Sequence, residues 1–453
     1  MTSPGPTGPY PQLPAGFRFG TASAAFQVEG ALDADGRTPS VWDTFTAEPG
    51  RVVDGTDASR ACEHYRRSAE DVALMRGLGT DSYRFSISWS RVVPHADGKV
   101  NEAGLDFYDR LVDQLLEAGQ APMATLFHWD LPQYLEDDGG WLNRATVDRF
   151  AEYARIVGDR LADRVEHWVP VNEPVMVTML GYGEGSHAPG KQLMFDAIGV
   201  AHHLLLGHGR AVAELRASGA RSVGCANHHA PIWPASEDEL DTGVSKLFDA
   251  LWNGLFMEPM LLGRYPADVA GLLTKFVAPG DMATIRQPLD FYGVNYYQPM
   301  KVAAAAEDAP LPWEMREVLG YPTTDFGWPV VPEALREWLI ITRARFRAAI
   351  PPLVITESGC SYATGPGADG VVDDQARIDY HDAHLRAIAA AVERGVDVQG
   401  YYAWSLTDNF EWAEGLSQRF GLVHVDFDTQ VRTPKRSYDW YRDMIASQEA
   451  RGS

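Results

Sequence analysis

At 453 residues, with 45% apolar and 22% charged residues, the chain can bury a large core and has the composition of an ordinary globular protein. Its formal net charge of −23, spread along the chain, disfavours nucleic acid and anionic membranes as partners. The three cysteines (Cys62, Cys225, Cys360) lack metal-ligand spacing, which argues against a disulfide framework and fits a reducing, cytoplasmic compartment.

Residues 1–16 carry neither a basic n-region nor an apolar h-region and read as a flexible lead-in rather than a secretory signal. From there, short apolar runs alternate with amphipathic stretches. The runs are 17–21, 82–88, 122–126, 167–171, 221–226, 289–294, 353–356 and 398–403. Helical patterns fall at 69–78, 104–118, 145–161, 195–217, 332–349 and 374–394. In 104–118, Leu105, Tyr108, Leu111, Val112 and Leu115 share one face at helical spacing. Eight strands separated by helices predict a single (β/α)₈ TIM barrel over 17–447, followed by a tail at 448–453. The connections 228–288 and 298–352 exceed a plain βα unit, so long loops are expected over the C-terminal face. No run of about 20 apolar residues exists to cross a bilayer. Gly181-Tyr-Gly-Glu-Gly185 has the wrong spacing and setting for a dinucleotide loop.

Barrel chemistry sits at the C-terminal strand tips, and here every tip is polar or aromatic. In chain order they are Gln27, Arg84, His128-Trp129, Asn172-Glu173, Asn227, Asn295-Tyr296-Tyr297, Glu357 and Trp404, with Glu411-Trp412 shortly after. Each has a plain alternative: Asn172-Glu173-Pro174 as a helix cap, Arg84 as a core ion pair, His128 as a satisfied imidazole, the tryptophans as packing. Together they have no economical packing explanation. Glu173 and Glu357 lie 184 residues apart in the chain. Two acids in one pocket, one protonated and one ionised, are what glycosidic bond cleavage requires. The tips lack the His-x-His and multi-acid clusters of metal-dependent barrels, and none ends in a Schiff-base lysine, so neither metal nor organic cofactor is expected.

These motifs resemble glycoside hydrolase family 1, the β-glucosidase family. The resemblance runs from Phe19-Gly-Thr-Ala-Ser-Ala-Ala-Phe-Gln-Val-Glu-Gly30 to Thr433-Pro-Lys-Arg-Ser-Tyr-Asp-Trp-Tyr441. Between these stand Tyr83-Arg-Phe-Ser-Ile-Ser-Trp89, Leu126-Phe-His-Trp-Asp-Leu-Pro132, Asn172-Glu-Pro174, His187-Ala-Pro-Gly190 and Trp404-Ser-Leu-Thr-Asp-Asn-Phe-Glu-Trp412. The resemblance implies a retaining exo-β-glycosidase, with Glu173 as acid/base, Glu357 as nucleophile, and Arg84 and Tyr297 as partners of the nucleophile. It implies a sugar site of Gln27, His128, Trp129, Asn172, Asn295, Trp404, Glu411 and Trp412, with Trp328 and Phe420 completing the substrate-binding set. Glu411, together with the absence of the family's phosphate-binding lysine from Ser417-Gln418-Arg419-Phe420, implies unphosphorylated β-D-glucosides, with β-galactosides and β-fucosides as further substrates.

Three positions depart from the family pattern: Pro170 for Thr, which is expected to distort its strand; Val175 for Trp, which reshapes the aglycone side; and Ser358 for Asn after the nucleophile. The partner implied is a small β-glycoside or short oligosaccharide, and homo-oligomer formation stays open. Alternatives are a transglycosylating enzyme, a glycosidase of natural-product glycosides, a 6-phospho-β-glucosidase and a non-catalytic glycoside-binding protein.

Overall fold

Each of the eight apolar runs forms a strand buried along nearly all its length, as parallel strands beneath a helical layer must be. In a computed structural model describing residues 10–452, they are β1 (Arg18–Ala22), β2 (Ser82–Ser86), β3 (Ala121–Phe127), β4 (His167–Val171), β5 (Ser222–Val223 and Cys225–His228), β6 (Tyr292–Asn295), β7 (Leu353–Ser358) and β8 (Val398–Trp404). Residues 1–9 of the expected lead-in, and Ser453, lie outside the described residues. All strands of this sheet are parallel, and β1 pairs with both β2 and β8. Gly224 splits β5 into two pieces. The first pairs with β4 and the second with β6, and a bridge between Asn172 and Ala226 joins them, so the nine strand segments make an eight-stranded barrel.

Helices α1 (His64–Leu78), α2 (Glu102–Glu117), α3 (Ala145–Leu161), α4 (Ile198–Ala217), α5 (Leu255–Leu262), α6 (Pro332–Phe346), α7 (Gln375–Glu393) and α8 (Arg436–Gly452) belong to the successive connections. The stripe expected on the second of these is seen: Leu105, Tyr108, Leu111, Val112 and Leu115 are all buried. Helix α8 runs through residues 448–452. Its Gln448 accepts from the Leu13 N–H and donates to the Pro11 carbonyl, which lays the chain from residue 10 onward against it.

The two long connections meet one another. Ile232–Pro234, after β5, pairs with Met300–Ala304, after β6, and Trp313–Arg316 completes a three-stranded sheet. At Pro170 the register between β3 and β4 continues unshifted, from Met123 opposite His167 to Phe127 opposite Val171. The proline removes one donor, and the Asn172 N–H resumes the ladder on the Phe127 carbonyl at 2.9 Å, so the expected distortion is not seen. Among the described residues no helix is long and apolar enough to cross a membrane.

Candidate active site

A bulge in β7 builds the floor of the site. The register of β7 shifts between Ile355 and Glu357 against β6, and between Ile355 and Ser358 against β8. Bulges re-aim side chains. Here Thr356 Oγ1 donates to Asn295 Oδ1 at 2.6 Å while the next residue, Glu357, also reaches the barrel interior. Ser358 points outward, 3.1 Å from Tyr380 Oη on α7, away from the Glu357 carboxyl.

Glu357 is buried and paired with Arg84, and Tyr297 Oη donates to its Oε2 at 2.8 Å. Glu173 follows β4 with φ 44° and ψ 63°, a left-handed conformation uncommon outside glycine and concentrated at functional sites. Its N–H is held by the Ala226 carbonyl at 2.8 Å, and its Oε1 accepts from Asn295 Nδ2 at 2.6 Å. Although Glu173 precedes the short helix Pro174–Met176, its side chain makes no capping bond. The carboxyl serves the pocket instead.

One amide orders this centre. Asn172 Oδ1 accepts from Arg84 Nη2 (2.6 Å) and Asn295 Nδ2 (3.0 Å), so its Nδ2 faces His128 Nε2 at 3.0 Å and donates to it. His128 therefore carries its proton on Nδ1, and burial, then the Arg84 charge, holds it well below the usual imidazole range. The Trp129 indole N–H donates to the Asn172 carbonyl. Trp404 and Trp412 each stack against His128 at 5.9 Å, and Trp412 lies 4.5 Å from Trp129. Gln27 Nε2 donates to Glu411 Oε2 at 3.1 Å, as well as to Asn409 and the Phe410 carbonyl. Gln27 Oε1 and His128 Nδ1 are buried and have no partner among the described residues. Such groups are costly unless something bonds them, and a sugar hydroxyl can. On the other side Trp328 lies 5.2 Å from Tyr297 and 5.9 Å from Phe420, ring to ring. Val175 is buried beside Pro174.

The electrostatics are unequal. Burial is the largest influence on both acids and pushes both upward. On Glu357 the Arg84 charge and the hydrogen bonds from Tyr297 and Arg84 oppose it. On Glu173 the Glu357 charge adds to burial and leaves it well above the usual carboxylate range, against Asn295 and a weaker pull from Arg84. Burial, then Glu357, pushes Glu411 up to about 8. Such a pocket can hold one protonated and one ionised carboxyl side by side. Among the described residues no three His, Cys, Asp or Glu side chains converge to hold a metal ion.

The structure brings all fourteen expected residues into one constellation around the barrel mouth, while two other tip residues face away: Tyr296, whose hydroxyl donates to the Val331 carbonyl at 2.8 Å, and Asn227. Asn227 does not face the pocket: its Nδ2 donates to Tyr292 Oη (2.8 Å) and approaches Met260 Sδ, outside the barrel. His228 is the inward tip of β5. The missed signal was the strand's length, since a run ending at 226 puts the wrong residue at the mouth.

A model of glycosyl hydrolase family 1 matches residues 10–450. A bifunctional β-D-glucosidase/β-D-fucosidase from Bifidobacterium breve is 43% identical, over 97% of this chain and 99% of that one. Psychrophilic β-glucosidase BglU from Micrococcus antarcticus superposes with a TM-score of 0.92 at 43% identity, covering 96% of this chain and 98% of that one. Virulence factor SghA from Agrobacterium tumefaciens, solved with its substrate analog salicin, gives a TM-score of 0.92 at 42% identity, with 96% of each chain covered. With a match over nearly its whole length and the family's motifs gathered at one barrel mouth, the chain belongs to glycosyl hydrolase family 1.

Proposed function

We propose that this protein is a retaining exo-β-glycosidase that hydrolyses unphosphorylated β-D-glucosides, with β-fucosides and β-galactosides as further substrates. The observation that carries this reading is the pair of buried acids in unequal settings: Glu357 bonded to Arg84 and Tyr297, Glu173 bonded to a neutral amide. In the first step the Glu173 carboxyl gives its proton to the glycosidic oxygen while a Glu357 oxygen bonds to the anomeric carbon and the aglycone leaves. In the second, Glu173, now ionised, takes a proton from water. The water oxygen bonds to the same carbon and releases Glu357, so two inversions give retention. This route calls for carboxyl groups about 5–5.5 Å apart. The names carried by relatives at 42–43% identity support the glucoside and fucoside assignment. Three unpaired cysteines support the cytoplasmic setting.

Two observations support an unphosphorylated sugar. Glu411 lines the site, and a carboxyl there, ionised or protonated, offers a phosphate no positive charge. Arg419 is already engaged: it donates to the Val425 carbonyl (2.7 Å) and Asp408 (3.3 Å) and lies over the Phe427 ring. A 2-deoxy-2-fluoroglucoside with a good leaving group is expected to inactivate the enzyme and to mark Glu357 in peptide mass spectra. A panel of nitrophenyl glycosides is expected to show β-glucoside cleavage. Labelling at another residue, or cleavage confined to α-anomers or 6-phosphosugars, would count against the proposal.

A further inference from the structure

His228 ends β5 and takes no part in the steps above. Alternation along the strand decides where it points: Asn227 faces outward to Tyr292, so its neighbour faces the barrel mouth. His228 pairs in register with Asn295, whose amide holds Glu173, and it lies two residues beyond Ala226, whose carbonyl holds the Glu173 N–H. Its ring is nearly parallel to Tyr297, with centroids 6.1 Å apart and planes 13° apart. Tyr297 in turn touches Trp328 at 5.2 Å. His228, Tyr297 and Trp328 thus form one wall beside both acids.

The proton on this ring is placed by its neighbour. The Trp252 indole N–H can only donate, and it lies 3.1 Å from His228 Nδ1. Nδ1 is therefore an acceptor, and Nε2 carries the hydrogen. Among the described residues Nε2 has no hydrogen-bond partner, and it is not among the polar atoms sealed from the surface, although the residue as a whole is only 4% exposed. Burial, with His229 adjacent, pushes the imidazole down to about 3, so the ring stays neutral and its tautomer does not change across the working range.

We propose that His228 is a specificity-determining residue for the leaving group, donating its Nε2–H to an oxygen carried by the aglycone, such as a hydroxyl of a second sugar or a hydroxymethyl on a phenol. The proposal rests on the β-glucosidase reading above and names the class of glycoside it favours. A donor fixed by its surroundings discriminates more steeply than an apolar wall, because an aglycone without the acceptor leaves the N–H unpaired.

The test compares kcat/KM for cellobiose, which carries hydroxyls on its leaving sugar, with kcat/KM for phenyl β-D-glucoside, which carries none. Their ratio cancels general losses of activity. His228→Phe is expected to lower the cellobiose-to-phenyl ratio about tenfold. Trp252→Phe removes the indole donor, frees the tautomer and is expected to lower the ratio about threefold. In ¹⁵N-resolved spectra of the wild-type enzyme the His228 proton is expected on Nε2, and Trp252→Phe should move it toward Nδ1. A ratio unchanged in either variant, or a wild-type proton on Nδ1, overturns the proposal. If His228→Phe does not fold, Trp252→Phe and the spectra decide it. A wild-type enzyme that cleaves neither glucoside would sink the β-glucosidase reading and this proposal with it; normal turnover with an unchanged ratio sinks this proposal alone.

Discussion

Glu173 and Glu357 have the same functional group and the same burial, so their neighbours decide which one keeps its proton. Arg84 supplies a full charge to Glu357, whereas Asn295 offers Glu173 only an amide. In the proposed mechanism Glu173, the more strongly raised acid, gives the proton that the leaving oxygen takes, so it is expected to set the alkaline limb of activity. Glu173→Gln is expected to flatten that limb and to lower kcat/KM by about 10²–10⁴-fold for a poor leaving group such as methanol. The loss should be far smaller for dinitrophenol, which departs unassisted. Equal losses on both substrates, read from initial rates across pH, would contradict the assignment. Both glutamates were legible in the sequence, since an acid ending an apolar run is conspicuous. His228 was not: Asn227 and His228 are both polar at the same strand end, and only strand parity separates them.

At the scale of elements, the segment carrying Trp404, Glu411 and Trp412 has little regular structure and is held by a buried knot. Asp408 Oδ1 accepts from Lys435 Nζ at 2.8 Å and from the Gly421 N–H at 2.9 Å, and its Oδ2 accepts from Arg419. Lys435 and Asp408 are both fully buried. Lys435 follows the strand Arg432–Pro434, so the pair ties the segment of Trp404, Glu411 and Trp412 to the hairpin before α8. Lys435→Met would leave the Asp408 charge without its fully buried partner and is expected to cost about 3–5 kcal/mol in urea unfolding. Adding Asp408→Asn should recover a large part of that cost. A double variant no more stable than the single would refute the pairing. The Thr433-Pro-Lys-Arg motif was conspicuous in the sequence, yet its partner, 27 residues away, was not. The bulge in β7 and the break in β5 were equally hidden. Gly224 marks the break, where a Cβ would lie 2.5 Å from the Phe291 ring, a packing fact that no local pattern records.

Across the whole molecule, burial of titratable groups sets the pH range of the fold. Loss of solvation pushes His187, His208, His229 and His384 down to about 4, and His228 to about 3. Unfolded, each takes up a proton near pH 6.5. Below that pH the unfolded chain binds more protons than the folded one, so stability is lost as pH falls from about 6.5 toward 4. Burial pushes Asp130 and Glu411 up to about 8. Between about pH 4 and 8 these two bind protons folded and release them unfolded, so they lower stability as pH rises. The melting temperature is expected to peak at roughly pH 6–7 and to fall on both sides. A monotonic rise from pH 5 to 9 in scanning calorimetry would contradict this balance.

The alternation of apolar runs with amphipathic stretches was enough to specify eight parallel strands under a helical layer, because each element must bury its apolar side and the side-chain period shows which side that is. The acids, amides and indoles at the tips were readable for a related reason: groups so polar or so large are rarely placed at a barrel mouth for packing alone. What only the tertiary structure decided were the pairings across distant segments: β5 closing against both β4 and β6, the two long connections joining in one small sheet, Asp408 meeting Lys435, and the Trp252 indole setting the proton of His228. Those contacts join residues far apart in the chain, and they depend on shape and hydrogen-bond direction, which hydrophobic periodicity does not encode.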